Sequence, residues 1–343
     1  DERGRHANCS GKASWPPEQT GLRTVLVLYP PAALRCKPMT HRSITLETRG
    51  ALFAFVGVLM FAATLPATRL AVADLDPWWL ALARAELAAA LGALALAVTR
   101  QPWPARTQWT GLGITAGGVV IGFPLLTSLA MTGASAGRGA VVVGLLPFAT
   151  AAASALRNGE RPSRAFWLCA GMASAAITVW ALRGTQVTPG WNDLALLAAV
   201  AAAAVGYAEG GRLARTLGGW QTIAWALVLT APLLLLPTLW LTHALPLQHA
   251  APSAWGGFVY VIVFSQFVGF LFWYGGMAMT GVARASQMQL LQVFLTLIIA
   301  WALLGERIEP STWGVAAFVV MLIWIGRRTT IRQTAATGVQ DGR

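Results

Sequence analysis

Residues 295–314 read LTLIIAWALLGERIEPSTWG: an apolar run that ends in Gly305-Glu306-Arg307 and restarts after Pro310. Residues 149–168, ATAAASALRNGERPSRAFWL, make the same move around Gly159-Glu160-Arg161. The two copies lie 146 residues apart (305 minus 159). The same lag pairs Trp79 with Trp225, Trp109 with Trp255, Trp167 with Trp313, Gly111 with Gly257 and Phe148 with Phe294. Between these anchors the register slips. Gly122-Phe123 recurs as Gly269-Phe270, displaced by one, and Thr132-Gly133 as Thr280-Gly281, displaced by two. The chain is a duplication whose halves differ around the third helix and its connection to the fourth.

The repeated unit is apolar. Of the 343 residues 56% are hydrophobic and 11% charged, with a mean hydropathy of +0.59. Soluble domains carry about twice that share of charge, so a water-soluble fold is excluded. Roughly 20 apolar residues cross the hydrocarbon layer as a helix, because lipid offers the backbone no hydrogen bonds. Ten such runs are legible: 50–72, 78–99, 109–131, 136–156, 164–183, 192–213, 220–241, 254–277, 282–303 and 311–327. The connectors carry turn and capping residues such as Asp76-Pro77, Gln101-Pro102, Pro189-Gly190 and Glu309-Pro310-Ser311. The expected fold is an all-α polytopic membrane protein of ten transmembrane helices. Five helices per half is an odd number, so the halves are expected to be inverted, with a site near the midplane where they meet. The organisation reads as a first repeat over 39–187, a second over 188–328 and a cytoplasmic tail over 329–343. Residues 1–38 hold both lysines, Lys12 and Lys37, and lack an apolar run long enough for a signal peptide. They are expected to be a disordered extension that is not native, with Met39 the natural start.

Arginine sets the orientation. With the N-terminus inside, inner loops and tails carry fourteen arginines, from Arg42, Arg49, Arg100 and Arg106 through Arg157, Arg161 and Arg164 to Arg343. The outer side carries four, Arg69, Arg138, Arg183 and Arg307, together with Asp74, Asp76, Asp193, Glu306 and Glu309. Both termini are therefore expected in the cytoplasm of a bacterial inner membrane. Most tryptophans, among them Trp78, Trp103, Trp191 and Trp240, fall near helix ends, as an interfacial belt requires. The net charge of +12 is read as contact with anionic lipid, since no basic helix with interleaved aromatics suggests nucleic acid.

Ionisable groups within spans are functional candidates. Arg84 and Glu86 lie in helix two on different faces. Arg84 can bind a substrate carboxylate or tie helices together. Glu86 can carry a proton, or pair with Arg69 or Arg84. Glu209 stands three residues before Arg212, which allows an i,i+3 pair; alternatively it forms an inner gate with Tyr207. Helices eight and nine carry Ser265, Gln266, Trp273 and Tyr274, then Gln287, Gln289 and Gln292. These either bind neighbouring helices or line a wet cavity, with Thr127 and Ser128 facing them. Gly113, Gly117, Gly118 and Gly122 make two small-xxx-small pairs for close helix approach. Pro66, Pro124, Pro147, Pro232 and Pro237 interrupt backbone hydrogen bonding and can act as hinges.

The order of Phe61-Ala-Ala-Thr-Leu-Pro66-Ala-Thr-Arg69, Arg84, Pro147 and the two Gly-Glu-Arg copies resembles the EamA-type drug/metabolite transporter superfamily over residues 50–328. Phe61 stands where such proteins often have Trp. Val293 stands where their second half usually has Pro, so helix nine is expected to lack the kink that Pro147 gives helix four. The resemblance implies export of amino acids, metabolites or drugs, and a widespread Arg at the position of Arg84. The expected function is a secondary transporter that exports a small organic solute, acting as a monomer or homodimer. Candidate substrate contacts are Arg84, Gln266, Trp273, Tyr274, Gln289 and Gln292; candidate proton or gate residues are Glu86, Glu209 and Tyr207. No phosphate-binding loop, metal-ligand spacing or cofactor motif is expected. A receptor or channel is the alternative, as is a lipid-modifying enzyme. An enzyme would need a His/Asp cluster or paired intramembrane carboxylates, which the spans lack.

Overall fold

The computed structural model describes residues 40–158, 160–183, 190–307, 310–327 and 331–333. Residues 1–38, Met39 as a start site, Gly159, Glu309 and most of the 329–343 tail lie outside the described residues.

The chain is a bundle of helices. Helix α1 runs Thr40–Ala62 and, after a turn at Ala63, Thr64–Ala71. Then come α2 (Pro77–Val98), α3 (Arg106–Met131), α4 (Ala136–Arg157) and α5 (Arg164–Arg183). The second half holds α6 (Trp191–Ala214), α7 (Gly219–Ala244), α8 (Pro252–Thr280), α9 (Val282–Ser286 and Leu290–Leu304) and α10 (Pro310–Arg327). Among the described residues eight, α1–α4 and α6–α9, are long and apolar enough to cross a membrane. Helices α5 and α10, of 20 and 18 residues, stand where the fifth and tenth runs are expected. Two short segments, Glu160–Pro162 and Ile331–Gln333, pair antiparallel.

The breaks in these helices follow from proline. A proline removes one N–H and clashes with the carbonyl four residues back. Pro66 sits four residues after Ala62, where α1 breaks; Pro147 sits four after Val143, where the first part of α4 ends. Pro124 follows a π-helical segment in α3, Ala116–Gly122. By contrast, α7 continues through Pro232 and Pro237. In α9, where Val293 replaces proline, the helix runs unbroken from Leu290 to Leu304, and a 3₁₀ turn at Gln287–Gln289 precedes that stretch. A second π segment, Val261–Val268, lies in α8 at the repeat-equivalent place and is one residue longer, eight against seven. The one-residue slip of the repeat register falls there.

Carbonyls freed by the α1 break are satisfied from the other half. Thr296 Oγ1 in α9 donates to Ala62 O at 2.7 Å, Gln292 Nε2 to Phe61 O at 3.4 Å, and Tyr260 OH in α8 to Met60 O at 2.9 Å. Small residues let the crossings close. A Cβ on Gly118 would lie 2.4 Å from Ala202 O in α6, and one on Gly276 would lie 2.7 Å from Ala54 N in α1. Of the four α3 glycines in the expected pairs, Gly118 and Gly122 meet α6, whereas Gly113 and Gly117 meet nothing within 4 Å. The face that carries Gly113 and Gly117 is turned away from the bundle, so only one of the expected pairs serves packing.

The packing follows a rule. Helix α1 lies against α8 as α6 lies against α3, α2 packs on α7, α4 on α9, and α5 on α10. Contacts mark the two ends of the bundle. At one end Trp79 Nε1 donates to Thr242 at 2.8 Å, Asp74 accepts from Ala251 N at 2.9 Å, and Arg138 pairs with Asp193. At the other, Gln221 Nε2 donates to Gln101 at 3.4 Å and Arg157 meets Glu209. Leu94, Leu233, Leu236 and Trp301 stand exposed on the outside, where lipid would cover them.

Candidate substrate site

Arg84 lies in the first half of α2 and is 1% exposed. Its Nη2 donates to Gln266 Oε1 at 2.7 Å and Ser265 Oγ at 3.3 Å. Ser265 shares a hydrogen bond of 2.9 Å with Thr64, and Gln266 Nε2 donates to Val119 O at 3.2 Å. One buried network therefore joins α1, α2, α3 and α8. It runs through both π segments, since Ser265 and Gln266 lie in one and Val119 in the other. A π turn re-aims side chains and loosens the regular hydrogen-bond ladder, which is why such turns collect at sites.

Beside this network stands an aromatic cluster. The Phe61 ring lies 4.9 Å from Phe270 and 6.2 Å from Trp273, and Tyr207 lies 5.6 Å from Trp273 and 5.9 Å from Phe270. These are the edge and tilted geometries that aromatic quadrupoles favour. The Tyr207 hydroxyl is beside both Arg84 and the Gln289 side chain. Gln289 and Gln292, three residues apart, are buried on the same side of α9.

Several polar atoms here have no partner among the described residues although buried: Arg84 Nε and Nη1, both amide atoms of Gln289, Gln292 Oε1 and Trp273 Nε1. Buried polar groups are otherwise almost always paired. Of the expected substrate contacts, Arg84, Trp273, Gln289 and Gln292 thus converge with free hydrogen-bonding capacity. Gln266 is spent on Arg84 and Val119. Tyr274 is a strut: its hydroxyl donates to Gly206 O at 3.3 Å, and Gly210 leaves the room its ring needs. Thr127 Oγ1 turns back on its own helix, donating to Phe123 O at 2.6 Å, and Ser128 is buried without a partner.

The charged candidates sit apart. Glu86 forms no ion pair among the described residues, and its Oε1 is buried without a hydrogen bond. Pairing with Arg69 or Arg84 is not formed: Arg69 is engaged elsewhere, and Glu86 points to a different face of α2 from Arg84. Arg69 Nη1 donates to Met131 O at the end of α3 and to Ala134 O in the connection that follows, the latter at 2.9 Å. Glu209 makes the expected i,i+3 pair with Arg212, whose Nε lies 3.2 Å away, and also meets Arg157 Nε at 3.3 Å. It clasps α6 to the end of α4. Tyr207 lies in the aromatic cluster and shares no bond with this clasp.

At the opposite end the Glu306 carboxylate accepts from Ala136 N at 2.9 Å and Gly137 N at 2.8 Å. A carboxylate on the first N–H groups of α4 meets both unpaired donors and the positive end of the helix dipole. Arg138 forms a two-point pair with Asp193, 2.7 Å from Nε and 2.8 Å from Nη2. Sequence reasoning used Glu306 as a repeat marker and an outer-side acid, gave it no capping role, and passed over Thr64 and Thr296. Thr296 was findable, because it lies four residues after Gln292 on the same helical face.

The EamA-like transporter family model matches residues 48–182 and again 190–326. The chain belongs to the EamA-like transporter family. A Bacillus subtilis (strain 168) protein called the uncharacterized transporter YdeK is 40% identical over 290 residues, covering 82% of this chain and 98% of that protein. A solved crystal structure aligns with 81% of this chain and 96% of its own, with a TM-score of 0.61 at 21% identity; that likeness concerns the fold alone. This EamA-family chain is a membrane transporter and not an enzyme.

Proposed function

We propose that this EamA-family protein is a secondary carrier that exports a small organic solute by alternating access, binding it among Arg84, Gln289, Gln292 and Trp273. The observation that carries the reading is the group of unpartnered buried polar atoms at the place where both halves meet. In hydrocarbon such atoms are costly unless a ligand completes them. The packing rule supports two inverted repeats with ten spans: exchanging each helix for the one five places on leaves the neighbours unchanged. The position of the Gly-Glu-Arg copies agrees. Glu306 meets the start of α4, whereas Glu160 follows its end, roughly 30 Å away at 1.5 Å per residue. Inverted repeats of this kind open a midplane site to each side in turn. The arginine count supports cytoplasmic termini, and a bacterial inner membrane is the proposed setting. Export rests on the resemblance to the superfamily. Lipid surrounds the bundle, whether as monomer or homodimer, and a proton on Glu86 is the candidate coupling charge.

Counterflow in proteoliposomes tests this. Vesicles preloaded with unlabelled solute are expected to take up labelled solute transiently above equilibrium. Uptake that only ever approaches equilibrium would indicate a channel, and none at all a receptor or enzyme.

A further inference from the structure

We infer that the central site takes an anion: a small organic carboxylate without a compensating ammonium group. This rests on the centre being the solute site. Two independent features of that site point the same way.

The first is charge. Arg84 is buried in the bundle with no carboxylate beside it among the described residues. Asp74, Asp76, Asp193 and Glu306 belong to one end of the bundle. Glu209 lies toward the other, held between Arg157 and Arg212. Glu86 is two positions from Arg84, about 200° round the helix, and forms no ion pair. A buried guanidinium without a counter-ion is strongly unfavourable, and a negative ligand relieves it. A zwitterion would relieve it too, but would bring an ammonium that no described carboxylate receives.

The second is hydrogen-bond type. The unpartnered groups are mostly donors: the N–H of Arg84 Nε, the two of Nη1 and the indole N–H of Trp273, against an acceptor on Gln292, while the Gln289 amide stands beside the Tyr207 hydroxyl. An ionised carboxylate is acceptor-only. It complements such a site, whereas an amide or an amino acid leaves donor facing donor.

The test uses the full chain in detergent and in proteoliposomes with two matched triads. One is 3-phenylpropanoate, 3-phenylpropanamide and phenylalanine; the other is butanoate, butanamide and 2-aminobutanoate. Binding is read from tryptophan fluorescence. At least one carboxylate is expected to bind about tenfold or more tighter than its own amide and amino acid, the difference one charge-assisted hydrogen bond makes. Arg84→Gln is expected to abolish that preference and Arg84→Lys to retain part of it. The inference is overturned if neither carboxylate binds, if an amide or amino acid matches its carboxylate, or if Arg84→Gln binds the carboxylate as tightly as the wild type. Counterflow in the same vesicles separates the two readings. Carboxylate binding without counterflow sinks the carrier and leaves the anion site. Counterflow of a neutral or zwitterionic solute, with no carboxylate bound, sinks the anion site and leaves the carrier.

Discussion

At the scale of single residues, the energetics turn on who satisfies each buried polar group. Ala62 O loses its helical donor because residue 66 is proline, and Thr296 supplies the replacement at 2.7 Å. Thr296→Val keeps the shape and removes the donor, so an unsatisfied buried carbonyl remains. The expected loss is about 1–3 kcal/mol, read as a lower unfolding midpoint in detergent, with Thr296→Ser close to wild type. A Thr296→Val midpoint unchanged from wild type would show that water or another group reaches Ala62 O. Glu209 offers a second case. Bonds to Arg157 and Arg212 draw its carboxylate toward one end of the bundle. Glu209→Gln is expected to leave binding of a central solute intact while lowering the unfolding midpoint in detergent, because Arg157 and Arg212 lose their shared counter-charge.

At the scale of elements, the breaks matter as much as the helices. Proline made the interruptions of α1 and α4 legible, because its missing N–H and its clash act at a fixed distance. Nothing comparable marked the 3₁₀ turn at Gln287–Gln289 or the π segment of α8, which carry no proline, whereas Pro124 stands just after the π segment of α3. The same limit applied to the glycines of α3: spacing showed which could share a face, but only packing decided which face met α6. Gly118→Leu is expected to abolish stable folding, since even a Cβ falls 2.4 Å from Ala202 O. Gly113→Leu, on the open face, is expected to be tolerated. Comparing yield and monodispersity of the two variants checks this, and equal behaviour would contradict the crossing described. The Glu306 cap on α4 belongs to this scale as well. Glu306→Gln keeps the hydrogen-bond acceptor but loses the charge, so a modest weakening of about 0.3–1 kcal/mol is expected at that end of the bundle.

At the scale of the whole molecule, the duplication, the membrane setting and the helix order were all readable, because hydropathy and a fixed lag report on long stretches averaged together. The residues proposed for the site were readable in part. Polar residues in apolar runs stand out, so Arg84, Gln289, Gln292 and Trp273 were legible. Which of them retain free donors was not, because that depends on partners a hundred or more residues away, as with Arg84 and Gln266. In the mechanism proposed above, two halves of opposite orientation enclose a solute site that opens to each face of the membrane in turn. The most direct test places a single cysteine at Gln289, with Cys9, Cys36 and Cys169 replaced by serine, and labels it with a membrane-impermeant maleimide in right-side-out and in inverted vesicles. Labelling from both sides, reduced in each case by a solute that supports counterflow, is the predicted result. Labelling from one side only, however long the exposure and whatever solute is present, would contradict it.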